Sequence, residues 1–425
     1  MSKNIEFKSA VETSRKWDGE SVAVELSSKI KNKLLNPNFI LLFSTIHYEN
    51  EFNKLLEKLN NFFPNVPIVG GTVPGFMNQD GCYTRGVTSL SIDSSAIDIS
   101  VGIGHNTKNN PKKSALECTN MIKKNFTESN YSNKLLFILT SGTLVPSLLG
   151  TGVKRVYKSK IPISMISKLL KTSYKVSKKG VGREDIIFNE ISNQMPDYSI
   201  IGGSSIDDNK LEKNYQFFNN EVFTNSVICL GINTNINLKL ESQVAVEKTD
   251  KYFDVKLAGE KYIINKLDNK PATKTFFKHL NWPDSLMDER LHRRTFFYPI
   301  LFEKENEIFP EVIGGLIGNN IVCGFDIKSD KLCIGRSSRE ILINSLNKSL
   351  NNISKSGIPN CGIIIYCSAL LETLGRDFFK VQEILKKFFK DSPFLLIATG
   401  GEDFKIPEKI EKHSNETINM AAFLK

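Results

Sequence analysis

One order of elements recurs three times along this chain of 425 residues, and it constrains the fold more than any composition value. Each copy runs strand, helix, proline, apolar strand with paired glycines, turn, strand. The glycine-bearing strands are Val66-Pro67-Ile68-Val69-Gly70-Gly71-Thr72, Tyr198-Ser199-Ile200-Ile201-Gly202-Gly203-Ser204-Ser205 and Phe394-Leu395-Leu396-Ile397-Ala398-Thr399-Gly400-Gly401-Glu402-Asp403. A strand apolar at every position is buried on both faces, and glycines at its end permit a left-handed backbone or the close approach of a ligand. The three strand ends are therefore expected to floor a binding site. Its expected ligand-binding residues are Gly70, Gly71, Thr72, Gly202, Gly203, Ser204, Ser205, Thr399, Gly400, Gly401 and Glu402.

The elements around these strands repeat in the same order. The first copy opens on the apolar run Phe39 to Phe43 and continues with Phe52, Leu55, Leu56, Leu59, Phe62 and Phe63 at helical spacing, until Pro64 stops the helix. The second opens at Leu135, with Ile187, Ile191 and Met195 before Pro196; the third opens at Gly362, with Phe378, Val381, Ile384, Leu385 and Phe388 before Pro393. The spacing is too irregular for a solenoid. The pattern predicts an α/β fold of duplicated, mixed β-sheets covered by helices, in which a duplicated domain is followed by a related third unit. Three segments follow: an N-terminal helical extension over 1–34 (Val22, Leu26, Ile30, Leu34 on one face), a domain over 35–245, and a domain over 246–425 that starts in the polar stretch Glu247 to Tyr252. Short strands around Tyr262-Ile263-Ile264, Phe296 to Phe302 and Asn320 to Phe325, then a helix from Arg339 to Leu350, fill the space before the third copy.

The formal charge of +10 is local. Lys154, Arg155, Lys158, Lys160, Lys168, Lys171, Lys175, Lys178, Lys179 and Arg183 carry it, in an insertion at 151–183 that has no acidic residue. Ile163, Ile166, Leu169 and Leu170 there could form one face of a basic amphipathic helix, which would meet nucleic acid or an anionic surface; a solvated excursion is the plainer alternative. Seven scattered cysteines without a CxxC pair fit a reducing cytosol, and a cytoplasmic location is expected. No secretory signal is evident. The apolar stretch Leu135 to Val153 is broken by Thr, Ser, Gly and Pro146, so it is expected to be a buried strand plus loop and no transmembrane segment is expected.

These residues resemble the FIST family, with an N-terminal and a C-terminal FIST domain in tandem. The resemblance rests on Ile68-Val69-Gly70-Gly71-Thr72 with Gly75, on Ile200 to Ser204, on Tyr262 to Ala272, on Gly400-Gly401-Glu402 and on His413-Ser414-Asn415-Glu416-Thr417. It implies an intracellular sensory module for signal transduction that binds a small molecule, with an amino acid or a similar metabolite as the ligand and a signalling protein as the output partner. Some relatives bind heme and sense nitric oxide, so a heme-binding gas sensor is a second expectation, although no cofactor is predicted from the residues. One departure stands out. Where the family has a Phe-Ser-Cys strand end followed by Gly-Arg, this chain has Tyr366-Cys367-Ser368-Ala369-Leu370-Leu371, which puts in question any ligand contact that needs a guanidinium there.

Among candidate chemical groups, Glu402 could face a cleft and pair with a ligand ammonium, or could bond backbone amides in its own turn. Asp403, Asp207 and Asp208 read as turn formers. Thr72, Ser204, Ser205 and Thr399 could orient a carboxylate or could close turns locally. Cys367 and Glu402 together raise a hydrolase alternative, against which stands the use of cysteine as core filling. The histidines, at 47, 105, 279, 292 and 413, lack metal spacing, and His292 reads as part of an exposed basic run, Arg290 to Arg294. Neither GxxxxGK[ST] nor GxGxxG is present, so nucleotide binding by those motifs is not expected. No catalytic or metal residues are predicted, and an enzyme is the lesser expectation.

Overall fold

The computed structural model describes residues 6–126, 131–145, 147–148, 152–158, 162, 164–165, 168, 172–173, 175, 178–304 and 307–425. Three α/β units follow one another. Unit one comprises β1 (Phe7–Ser14), α1 (Gly19–Lys33), β2 (Phe39–Ser44), α2 (Phe52–Phe62), β3 (Ile68–Thr72), the hairpin β4 (Phe76–Asn78) and β5 (Gly81–Tyr83), and β6 (Val87–Ser94). Unit two repeats the order as β7 (Ile97–His105), α3 (Pro111–Asn125), β8 (Asn133–Ser141), α4 (Glu184–Gln194), β9 (Ser199–Ser205), the hairpin β10 (Gln216–Phe218) and β11 (Glu221–Phe223), and β12 (Ser226–Thr234). Unit three has β13 (Leu238–Val244), α5 (Arg339–Ser354), β14 (Pro359–Cys367), α6 (Ser368–Leu374), α7 (Phe378–Phe389), β15 (Phe394–Thr399), the hairpin β16 (Glu402–Ile406) and β17 (Ile410–Ser414), and β18 (Thr417–Leu424).

The pairing is the same in each unit. The second and third strands run parallel, and the closing strand lies antiparallel between the second and the first. Each hairpin leaves its own unit. That of unit one joins β15, that of unit two joins β3, and that of unit three joins β9. This cyclic exchange makes three six-stranded sheets and ties every unit to the other two. The inner faces share one core, with Phe39, Leu41, Phe43, Leu135, Phe137, Leu139, Ile363, Ile365 and Leu395 among its members. The outer faces pack under helices through Ile40, Leu42 and Leu55, through Leu136, Ile138 and Ile187, and through Ile364, Tyr366 and Leu385. Burial on both faces is why these strands are apolar at successive positions, and each buried Leu, Ile or Phe side chain contributes about 1.5–3 kcal/mol.

The segment expected as a helical extension does contain a helix, α1, capped by Asp18, whose side chain accepts from Ser21 N–H, and burying Val22, Leu26 and Ile30. It also carries β1, which pairs with β6 along its whole length and so belongs to unit one. Its half-polar sequence, Phe-Lys-Ser-Ala-Val-Glu-Thr-Ser, hides the strand. Likewise β13, before the expected boundary at 245, pairs with β18 at the other end of the chain, because unit three begins there.

Two insertions interrupt the repeat. One lies between β8 and α4; the other, 245–338 between β13 and α5, contributes most of a nine-stranded sheet with its own core of Phe253, Ile263, Phe276, Phe302 and neighbours. The strand Val156–Tyr157 of the first insertion pairs in parallel with Ile313–Ile317 of the second, so the two are joined. The expected amphipathic face at 163, 166, 169 and 170 lies outside the described residues. Among the described residues no helix is long and apolar enough to cross a membrane, and the stretch after Leu135 forms β8.

Candidate functional site at the boundary of units two and three

The pairing register shows which residues are equivalent. Gly71, Gly203 and Ile397 lie opposite the exchanged hairpin residues Gln216, Glu402 and Phe76. By that register the third equivalent of Gly70 and Gly202 is Leu396, and Gly400-Gly401 lies beyond the end of its strand. The expected third copy of the glycine pair is thus displaced. The first two pairs sit inside their strands, where a Cβ at Gly70 would fall on the Leu42 carbonyl and one at Gly202 on the Ile138 carbonyl. Close strand approach, not a ligand, explains those two glycines.

The structure brings the second and third stretches together. Ser204 N–H donates to the Gly401 carbonyl and Gly400 N–H to the Ser204 carbonyl, both at 3.0 Å. Thr72 instead bonds Tyr215, its Oγ1 accepting from the Tyr215 N–H at 3.0 Å, and Gly71 packs on the Tyr215 carbonyl and Leu139. Ser205 Oγ accepts from Gln216 Nε2 at 2.6 Å and donates to the Thr140 carbonyl at 3.2 Å. Ser204 Oγ is buried without a partner among the described residues. Asp207 is a turn former, as expected, its carboxylate accepting from the N–H groups of Leu211, Glu212 and Lys213.

Glu402 is fully buried. Thr399 Oγ1 donates to its Oε1 at 3.2 Å, and the N–H and hydroxyl of Thr417 donate to its Oε2 at 3.3 and 3.1 Å. Burial pushes its carboxyl up to about 8, so it holds a proton at neutral pH. Glu416 beside it is also pushed far up by burial, and neither of its carboxyl oxygens has a partner among the described residues. Between these acids, burial and the two carboxyls drive the Cys367 thiol well above its usual range. Cys367 precedes the first turn of α6, but burial outweighs that helix end and the thiol keeps its proton. Asp403 pairs with buried His413, Oδ1 to Nδ1 at 2.7 Å, and is spent on that contact.

A half-enclosed cavity of about 70 Å³ opens at the end of β14. Its walls include Cys367, Ser368 and Gly400 from unit three, Arg155 from the first insertion, and His292 and Ile313 from the second. Gly400 is the one expected ligand-binding residue among them. Arg155 is only 9% exposed. Its Nη2 donates to the carbonyls of Asn209 and Lys210, each at 2.8 Å, and among the described residues no carboxylate forms an ion pair with it. Burial lowers its pKa to about 10, which still leaves the guanidinium charged at neutral pH. His292 Nδ1 lies 3.1 Å from the Glu289 carbonyl. That oxygen can only accept, so Nδ1 carries the proton and Nε2 keeps its lone pair. Nε2 is buried without a partner among the described residues, and burial together with Arg155 depresses the imidazole to about 3, so it is neutral.

The site therefore offers a buried cation and an unused acceptor a short way apart in one small chamber. Neither residue stands out in the sequence. Arg155 is one of ten basic residues in a single stretch, and His292 sits among arginines that are themselves partly exposed. Among the described residues no group of three or more His, Cys, Asp or Glu is placed to hold a metal ion.

Fold and site together define a mixed α/β protein of three hairpin-exchanging units with a small cation-lined cavity between two of them. The model of the FIST N domain matches residues 38–270, more than half of the chain, and the chain belongs to the FIST family. Two solved structures show some likeness. Cyanuric acid hydrolase from A. caulinodans aligns at 6% identity and a TM-score of 0.35 over 99% of this chain and 100% of its own. A second structure of cyanuric acid hydrolase, described as an innovation by structural concatenation, aligns at 8% identity and a TM-score of 0.26 over 56% of this chain and 72% of its own. Neither likeness bears on the chemistry of the site. Comparison with curated proteins gave no match.

Proposed function

We propose that this protein is a small-ligand sensor that takes a compact amino acid or a related carboxylate in the cavity at the end of β14. The observation that carries the reading is Arg155, a buried guanidinium held by two backbone carbonyls and paired with no carboxylate among the described residues. Asp207, Glu289 and Glu212 act on that charge only through space, and a bound carboxylate would add a direct partner, charge-assisted bonds to a guanidinium being the strong ones. His292 Nε2 would accept a hydrogen bond from the ligand's amino group. The size fits: a cavity of about 70 Å³ holds only a few non-hydrogen atoms and cannot take a porphyrin, which speaks against the heme alternative at this place. The high thiol pKa of Cys367 speaks against the hydrolase alternative.

The guanidinium that the family pattern would put after Ser368 is, on this reading, supplied by Arg155 from the first insertion. Glu402 then acts behind the wall, fixing the turn Thr399 to Glu402 that presents Gly400. Residues 246–425 are read as the C-terminal FIST-type half of a tandem, with unit three as its core. The output passes through a signalling partner in the cytoplasm. A thermal-shift panel of glycine, alanine, serine, acetate and methylamine tests this. Amino acids are expected to raise the melting temperature in wild type and to leave Arg155→Met unmoved; an equal rise in both removes Arg155 from the site.

A further inference from the structure

A second concavity lies on the other side of the short helix Leu291–Thr295, which carries His292. It is an open cleft of about 460 Å³ lined by Trp282, Leu286, Arg290, Arg293, Arg294, Phe297 and Tyr298. That volume is in the range of ligand clefts. The aromatic wall is fixed: the Trp282 ring meets Tyr298 edge-on with centroids 5.6 Å apart, and meets Phe277 in the same way at 5.7 Å. One arginine is fixed too. Arg294 forms a fork on Asp288 at 2.7 and 3.0 Å and donates to the Leu286 carbonyl at 2.8 Å.

The other two arginines differ from it. Arg293 reaches Glu372 only at 3.6 Å, and Arg290 has no side-chain partner among the described residues. Phe297 is 38% exposed, a large ring kept in solvent beside these cations. Packed aromatic faces with loosely paired guanidinium groups at their edge are suited to a planar ring that bears an anion. A phosphate, with two charges and several acceptor oxygens, can engage two arginines at once, which a single carboxylate does less well.

We propose that this cleft is a second ligand site, distinct from the Arg155 cavity, that takes a nucleoside monophosphate with its base stacked on Trp282 and edge-on to Tyr298 and its phosphate on Arg290 and Arg293. The proposal does not depend on the first cavity being occupied. The chain has two tryptophans, so Trp17→Phe leaves Trp282 as the sole indole reporter. Titrating that variant with AMP should quench its emission saturably, with adenosine about tenfold weaker and inorganic phosphate and benzoate without comparable effect. Arg290→Ala should weaken AMP about tenfold at an unchanged melting temperature, and Arg290→Lys should restore part of the loss. No saturable change with AMP would overturn the proposal. So would adenosine, inorganic phosphate or benzoate binding as tightly as AMP.

Discussion

Units two and three use the same point of the fold differently. At the end of β8 the buried Lys108 ammonium donates to the carbonyls of Ser141 and Gly142, at 2.8 and 2.7 Å, from the short loop between β7 and α3. Ser141 Oγ adds a bond to Asn214 Oδ1 at 2.8 Å, and the strand end is closed. At the end of β14 the corresponding loop has been replaced by the 245–338 insertion. Among the described residues no lysine lines this strand end; the acids Glu402 and Glu416 flank Cys367, and His292 and Ile313 lie across the opening with Arg155. The repeat supplies a scaffold, and the cavity appears where an insertion breaks it. In unit two a cation closes the strand end; in unit three a cation lines a space.

Substitutions should separate the two ends. The largest effect at fixed pH is expected from Lys108→Met, which removes two charge-assisted bonds, to the Ser141 carbonyl and to the Gly142 carbonyl that Asn214 also bonds, and should cost about 3 kcal/mol in denaturant unfolding, with ligand affinity in unit three unchanged. An equal loss of affinity would mean that the two ends are coupled.

Glu402 gives the next effect, in pH. Its folded pKa, about 8, lies above its ordinary value of 4.5. Between those values the folded state keeps a proton that the unfolded state releases, so this group's contribution is full below pH 4.5 and is lost as pH rises through 8. Glu402→Gln should remove that slope, gaining about 3.5 kcal/mol on wild type between pH 5 and pH 8 in paired urea melts. A difference between the two proteins that stays constant with pH would show that Glu402 is ionised in the fold. A smaller effect is expected at His292. His292→Phe should lower amino-acid affinity about tenfold, roughly one hydrogen bond, while thermal stability stays close to wild type; unchanged affinity would take the imidazole out of the site.

Much of the scaffold is readable from residues because burial on both faces leaves continuous apolar runs. Phe39 to Phe43, Leu135 to Leu139 and Gly362 to Tyr366 all form the expected inner strands. The first strand of each unit was hidden, since β1, β7 and β13 lie at sheet edges and mix polar with apolar residues. The hairpin exchange has no local signature, because it depends on which sheet a short hairpin meets. For the site, the turn at Gly400 was legible and its walls were not. Arg155 and His292 arrive from two insertions that the repeat does not predict, and an arginine buried by tertiary packing looks in sequence like its solvated neighbours. Paired glycines misled for a related reason: Gly70 and Gly202 answer to a neighbouring strand, which a sequence does not display.

The central claim is that Arg155 makes the β14 cavity a receptor for a compact carboxylate. Calorimetric titration of wild type and Arg155→Met with alanine tests it most directly, with acetate and methylamine as controls. The account predicts saturable binding of alanine to wild type, weaker binding of acetate, none of methylamine, and a loss of about a hundredfold or more in Arg155→Met, consistent with a charge-assisted bond at a buried site. Alanine binding that is equal in the two proteins, or absent from wild type, would contradict it.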